Sequence, residues 1–206
     1  MTLKVFQKED LSCYVTKSKD SLPAAVCLGQ VDADKLIQER DYYIKNFENL
    51  ESAKWIAKID RRARQELIDL GWYGDYYQKP ICKINRSSQL FNEYIQGIGE
   101  YTKQVLDSYG PFHRPRYVFS GKNWSIKKHV DWNADEVHLH GFRIHIMLKT
   151  DDSNYCIIEE NGEDKKYNFA KGEVWFLNVT YPHAISPIID TRESISFDIL
   201  SDKIIC

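Results

Sequence analysis

Residues 142–149 read Phe142-Arg143-Ile144-His145-Ile146-Met147-Leu148-Lys149. Rich in β-branched and aromatic residues and free of Gly and Pro, the stretch has the make-up of a strand. Side chains two positions apart share a face of such a strand, so Arg143 and His145 point the same way. Comparable short runs lie on both sides: Tyr117–Ser120, Trp124–His129, Tyr155–Glu159, Lys166–Phe169, Glu173–Leu177, His183–Ile189 and Glu193–Leu200. Between them stand Asp151-Asp152-Ser153-Asn154, Asn161-Gly162 and Lys171-Gly172, all good turn chemistry. So many short strands after Pro115 predict a closed or sandwiched antiparallel sheet.

The first half has a helical period instead. Leu36, Tyr43, Ile44 and Phe47 follow an Asp-rich start and predict a helix over Asp32–Phe47. A shorter helix is expected over Ala63–Leu70, stopped by Gly71. The clearest stripe is Phe91, Tyr94, Ile95, Ile98, Tyr101 and Val105, which predicts a helix from about Ser88 to Tyr109. Ser87 or Ser88 would cap it and Gly110-Pro111 would end it. Helices first and strands afterwards define an α+β chain, with helices buttressing a β-barrel. One domain over residues 1–206 is expected, helical over about 28–112 and β-rich over about 115–200.

With 206 residues, 43% hydrophobic and 13% aromatic, the chain has material for a core and is not expected to be disordered. A net charge of -2 gives no general pull toward nucleic acid or anionic membrane. No apolar run is long enough to span a bilayer, and the first ten residues lack a signal-peptide core. Five cysteines without a CxxC pair read as reduced thiols of a cytoplasmic protein.

His129-Val130-Asp131 places an imidazole and a carboxylate on one side of a strand, close enough to share an ion. A third ligand must come from elsewhere, and His183 opens a separate run after Tyr181-Pro182. Two His and one carboxylate on one face of an octahedron leave positions for O2 and an oxidisable cosubstrate, the arrangement of non-haem iron(II) oxygenases. Arg192 follows His183 by nine residues; inside a barrel a permanent cation needs an anion, and a dicarboxylate could supply it as a bidentate pair.

Through these residues the chain resembles the 2-oxoglutarate oxygenases of the aspartyl/asparaginyl β-hydroxylase-like group, closest to bacterial free-proline hydroxylases. The resemblance runs through His129-Val130-Asp131, Arg143-Ile144-His145, Gly172-Glu173-Val174-Trp175-Phe176-Leu177-Asn178, His183, Arg192 and Phe197-Asp198, with Leu28-Gly29-Gln30-Val31-Asp32 as an opening. It implies a double-stranded β-helix, a jelly-roll or cupin-like barrel, with iron(II) held by His129, Asp131 and His183. It implies that Arg192 binds the distal carboxylate of 2-oxoglutarate and that Arg143 and His145 line the site. The chain keeps Asp131, which the mammalian members of the group lack, and it stops soon after Asp198 without the C-terminal extension of some bacterial members.

His138 and His140 with His129 and His145 suggest zinc, yet structural zinc recruits cysteine and none lies near before Cys156. A cupin motif at His138-Leu139-His140 lacks its flanking Gly and Glu. The polar segment Asp131–Gly141 is expected to lie over the barrel mouth, with Trp132 as a pocket wall and His140 toward substrate. Arg143 is expected to hold a substrate carboxylate, His145 the near carboxylate of the cosubstrate; the alternative for both is a salt bridge in the barrel wall. Trp124 and Trp175 are expected in core or rim packing.

The expectation is therefore an iron(II)- and 2-oxoglutarate-dependent dioxygenase that uses O2, with ascorbate helping to keep the iron ferrous. Its substrate would be small and carboxylate-bearing, a free L-amino acid, with no nucleic-acid or membrane partner. A peptide or carrier-bound aminoacyl group is the enzymatic alternative, and a non-catalytic β-barrel that binds metal or a small ligand is the alternative of another class. Oligomeric state is not legible.

Overall fold

The computed structural model describes residues 23–47, 76–83, 93–109, 112–131 and 142–199, and every structural statement below concerns these. They form ten strands and two helices. In chain order these are β1 (Ala25–Gln30), α1 (Ala33–Phe47), β2 (Tyr76–Pro80), α2 (Glu100–Asp107), β3 (Phe112–Ser120), β4 (Ile126–His129) and β5 (Phe142–Lys149). There follow β6 (Tyr155–Glu160), β7 (Glu163–Asn168), β8 (Glu173–Asn178), β9 (His183–Ile185) and β10 (Arg192–Ile199).

A six-stranded sheet has the order β1-β8-β5-β10-β3-β2 and a four-stranded sheet the order β4-β9-β6-β7. Every pairing is antiparallel. From β3 to β10 the chain passes repeatedly between the two sheets, which is the jelly-roll topology. All eight of the expected β-rich runs are strands, Phe142–Lys149 with its expected bounds and the other seven with shifted ends. The run expected over His183–Ile189 keeps only three residues, because Pro187 and the turn after it cannot continue a ladder. The run expected from Lys166 begins at Glu163, because Asn161 and Gly162 alone turn the chain, at φ 55° and 82°. Those paired positive φ angles are what a two-residue type I′ hairpin demands.

Alternation along the large sheet divides its two faces. Tyr117, Phe119, Ile144, Ile146, Ile195 and Phe197 join one core with Leu28, Leu36 and Tyr43. That core lies on the side where α1 packs. The opposite face looks into the barrel, where Met147 and Leu177 join Trp124, Cys156, Ile158 and Ile185 in a second core. Trp175 stacks on Phe169 at 4.5 Å between ring centroids, as packing rather than as a ligand platform.

The two helices brace each other at their ends. Asp32 caps α1 by accepting from the Lys35 amide at 3.0 Å. Gly99, at the start of α2, has no side chain to do the same, so Glu39 of α1 substitutes for it. The Glu39 carboxylate accepts from the Tyr101 amide at 3.0 Å, the Thr102 amide at 2.8 Å and the Thr102 hydroxyl at 2.8 Å. Arg40, buried beside it, ion-pairs with Glu193 and so ties α1 to β10.

The first half departs from expectation in two places. The helix predicted from Ser88 does not include residues 93–99: Tyr94 forms a β-bridge with Cys82, and α2 starts only at Glu100. Gly97 at φ 93° breaks any right-handed helix there, and a Cβ on it would strike the Phe47 ring. β1 and β2, which extend the large sheet at its two edges, were not anticipated. The helix expected over Ala63–Leu70 lies outside the described residues. No described helix is long and apolar enough to cross a membrane.

Candidate metal centre and cavity

His129 ends β4 and His183 opens β9, and these two residues are direct cross-strand partners in the small sheet. Register alone therefore brings two histidines together that stand far apart in the chain; their ring centroids are 4.5 Å apart. Asp131 lies just past β4, where its amide donates to the Val179 carbonyl in the connection between β8 and β9. Its Oδ1 is 2.9 Å from His129 Nε2 and 3.8 Å from His183 Nε2. One ligand atom from each of the three residues lies within 4.8 Å of the others.

The backbone also sets the tautomers. His129 Nδ1 donates to the Lys127 carbonyl at 2.8 Å and His183 Nδ1 to the Tyr181 carbonyl at 3.0 Å. Each imidazole then directs Nε2 inward, the atom a metal would take, with its outer N–H anchored. Two imidazole nitrogens and one carboxylate oxygen suit iron(II), and no thiolate joins them. Cys156 lines the same cavity, but burial pushes its thiol up to about 11, so it stays protonated near neutral pH.

Asp131 is also held from outside. Its Oδ2 accepts from Arg143 Nη1, while Arg143 Nε donates to Asp198 Oδ1 at 2.8 Å. Asp198, fully buried at the end of β10, accepts in addition from Arg114 Nη2 at 2.7 Å. Arg114 reaches it because β3 bulges there opposite Ser196 and Asp198, with Arg114 at φ 50°. Burial opposes ionisation of Asp198, yet Arg143, Arg116 and Arg114 outweigh it and hold the carboxyl well below its ordinary range. Asp131 is held low in the same sense, by Arg143 first, against its burial.

This changes the reading of Arg143. The expectation was that its charge would require a substrate carboxylate. Two carboxylates of the chain already answer it, the wall salt bridge of the alternative reading. His145 is corrected too, as a cation: burial first, then Arg192, Arg143 and Arg116, push it well below its ordinary value, so the ring is neutral and offers hydrogen bonds only.

Arg192 starts β10 and is 5% exposed. Its guanidinium lies 5.8 Å from the Phe169 ring centroid and donates to Met147 Sδ at 4.0 Å. His129, Asp131, His183, Arg143, His145 and Arg192 all line one cavity of about 260 Å³ between the two sheets. Trp132 and His140, with the expected lid over 132–141, lie outside the described residues. Reading the sequence missed Arg114, Arg116, Ser194 and Ser196, which also line the cavity. Arg116, Ser194 and Ser196 were legible as inward positions by period two; Arg114 was not, because a bulge turns it in.

No protein-family model and no curated protein matches the sequence. Solved structures do. A prolyl hydroxylase from Trichoplax adhaerens, in complex with a hypoxia inducible factor oxygen degradation domain peptide fragment, superposes with TM-score 0.55 at 10% identity, covering 96% of this chain and 92% of that one. A Pseudomonas putida prolyl-4-hydroxylase gives 0.50 at 12% identity, covering 91% and 97%. A 2OG-Fe(II) oxygenase family oxidoreductase from Burkholderia pseudomallei gives 0.47 at 14%, covering 80% and 91%. At such identities the likeness establishes the fold: the jelly roll of this chain is the one that the two prolyl hydroxylases carry.

Proposed function

We propose that the protein is an iron(II)- and 2-oxoglutarate-dependent dioxygenase. The observation that carries this reading is the convergence of His129, Asp131 and His183 on one point of a cavity that also contains the buried Arg192. His129, Asp131 and His183 would hold the metal, and Arg192 would take the distal carboxylate of 2-oxoglutarate as a charge-assisted pair. When bound, iron and 2-oxoglutarate supply the oxidising chemistry with O2, and 2-oxoglutarate leaves as succinate and CO2. The chain's own part is to bind, orient and exclude water. Arg143 and Asp198 fix the rotation of the Asp131 carboxylate, so that one oxygen faces the histidines and the other is occupied. Leu177, Val179 and Ile185 keep the wall apolar.

The substrate is a small molecule bearing a carboxylate, and a free L-amino acid fits that description. A cavity of about 260 Å³ accommodates a side chain or a small molecule and not a folded domain. The test is succinate formation from 2-oxoglutarate by the purified protein with iron(II) and ascorbate. The wild type should form succinate, and Asp131→Ala should form none while retaining its circular dichroism spectrum. A wild type that binds iron and 2-oxoglutarate without forming succinate, with or without an amino-acid panel, would be a binding protein instead.

A further inference from the structure

Strand register sets two rows of residues along the cavity, one in each sheet. In the small sheet Ile185 is the cross-strand partner of Ile126 on one side and of Cys156 on the other. All three line the cavity, and none carries a charge, since burial keeps the Cys156 thiol protonated. In the large sheet Ser196 of β10 pairs with His145 of β5, and both line the cavity too. Ser196 is only 1% exposed, and its hydroxyl has no hydrogen-bond partner among the described residues. The buried Nδ1 of His145 also lacks one among them. Buried polar groups are nearly always satisfied, so two unsatisfied atoms on paired residues of a cavity wall are left for a guest.

The chemistry of the pair indicates the kind of guest. A buried carboxylate needs a countercharge as well as hydrogen bonds. Three arginines of the lining are engaged within the chain. Arg143 bridges Asp131 and Asp198, and Arg114 pairs with Asp198. Arg116 donates to the Arg114 carbonyl at 2.8 Å, and its charge acts on Asp198. Ser196 and His145 add no charge of their own, because the imidazole is neutral. A hydroxyl donates and accepts, and a neutral imidazole nitrogen does one or the other by tautomer. Such a pair suits an uncharged group that can do both, a carboxamide or a hydroxyl. The row of Ile126, Ile185 and Cys156 offers the remainder of that guest an apolar wall.

We propose that Ser196 and His145 form a hydrogen-bonding subsite for the primary substrate, which recognises a carboxamide or hydroxyl on a small molecule whose aliphatic part lies against Ile126, Ile185 and Cys156. Among amino acids it selects those with an uncharged polar side chain. This rests on the oxygenase reading above and assigns His145 to the substrate instead of the cosubstrate.

The test uses the full chain loaded with manganese(II) and 2-oxoglutarate. Calorimetry compares L-amino acids of similar shape: asparagine with leucine, glutamine with methionine, threonine with valine. In at least one pair the polar member should bind roughly tenfold more tightly or better, because its apolar twin leaves both buried atoms unsatisfied. Ser196→Ala should remove most of that preference, while its urea midpoint and its affinity for 2-oxoglutarate stay at the wild-type level. The proposal is overturned if no polar member is preferred or if Ser196→Ala keeps the preference. It is overturned equally if Ser196→Ala weakens 2-oxoglutarate as much as the amino acid, which would give the pair to the cosubstrate. A lowered urea midpoint in Ser196→Ala would overturn it by showing that the hydroxyl serves the fold. Failure of the wild type to bind 2-oxoglutarate with the metal would sink the oxygenase reading itself, a separate and distinguishable result.

Discussion

At the scale of single residues, the cavity assigns different work to two arginines. Arg192 sits 5% exposed against Phe169 and Met147, so a carboxylate that reached it would pair in a largely dry setting. Losing such a pair costs on the order of 2–5 kcal/mol. Arg192→Ala should therefore raise the KM for 2-oxoglutarate by tens-fold or more in succinate assays, and an unchanged KM would remove Arg192 from cosubstrate binding. Arg143 instead bridges Asp131 and Asp198. Partners that orient a metal ligand are typically worth 10–100-fold in metal affinity. Arg143→Ala should weaken cobalt(II) binding, measured by titration without cosubstrate, by roughly that factor. Equal cobalt affinity in variant and wild type would show that Asp131 holds its orientation unaided.

At the scale of elements, the register between β4 and β9 makes the site, and the helices are held by a side chain borrowed across an interface. Glu39 caps α2 because Gly99 cannot, and it satisfies two amides and a hydroxyl at once. Buried donors left without an acceptor cost about 1–3 kcal/mol. Glu39→Ala should destabilise the fold by about that amount in urea unfolding, with no change in metal affinity, since neither helix contributes to the cavity lining. A stability equal to wild type would show that water caps the helix as well as Glu39 does.

At the scale of the whole molecule, acid should unfold the protein from two buried groups. His145 has a folded pKa far below its ordinary 6.5, so the unfolded chain binds the extra proton first. Its contribution is complete above about 6.5 and is lost as pH falls below that value. Asp198 has a folded pKa below its ordinary 3.8, so its contribution is present above that value and lost further down. Both slopes have the same sign: stability rises with pH. The urea midpoint should fall from pH 7 to pH 5, and His145→Gln should flatten that limb. A midpoint that rises on acidification would contradict the buried, neutral imidazole. These scales also separate what was legible in advance. The strands after Pro115 and the grouping of two histidines with one aspartate were readable because period two and residue chemistry are local properties of the chain. Local spacing likewise marked α1, whose Leu36 and Tyr43 are buried where the period places them. It misled at Ser88–Tyr109, where an apolar stripe was broken by Gly97 packing on Phe47, a contact between distant segments. The sequence by itself determined the donor atoms: two imidazoles, a carboxylate and a cation nine residues beyond the second histidine. Only the tertiary structure decided who partners whom. Pairing His129 with His183, and closing Arg143 between Asp131 and Asp198, depends on sheet order and on the bulge at Arg114. Those arise from long-range register, which no window of neighbouring residues encodes.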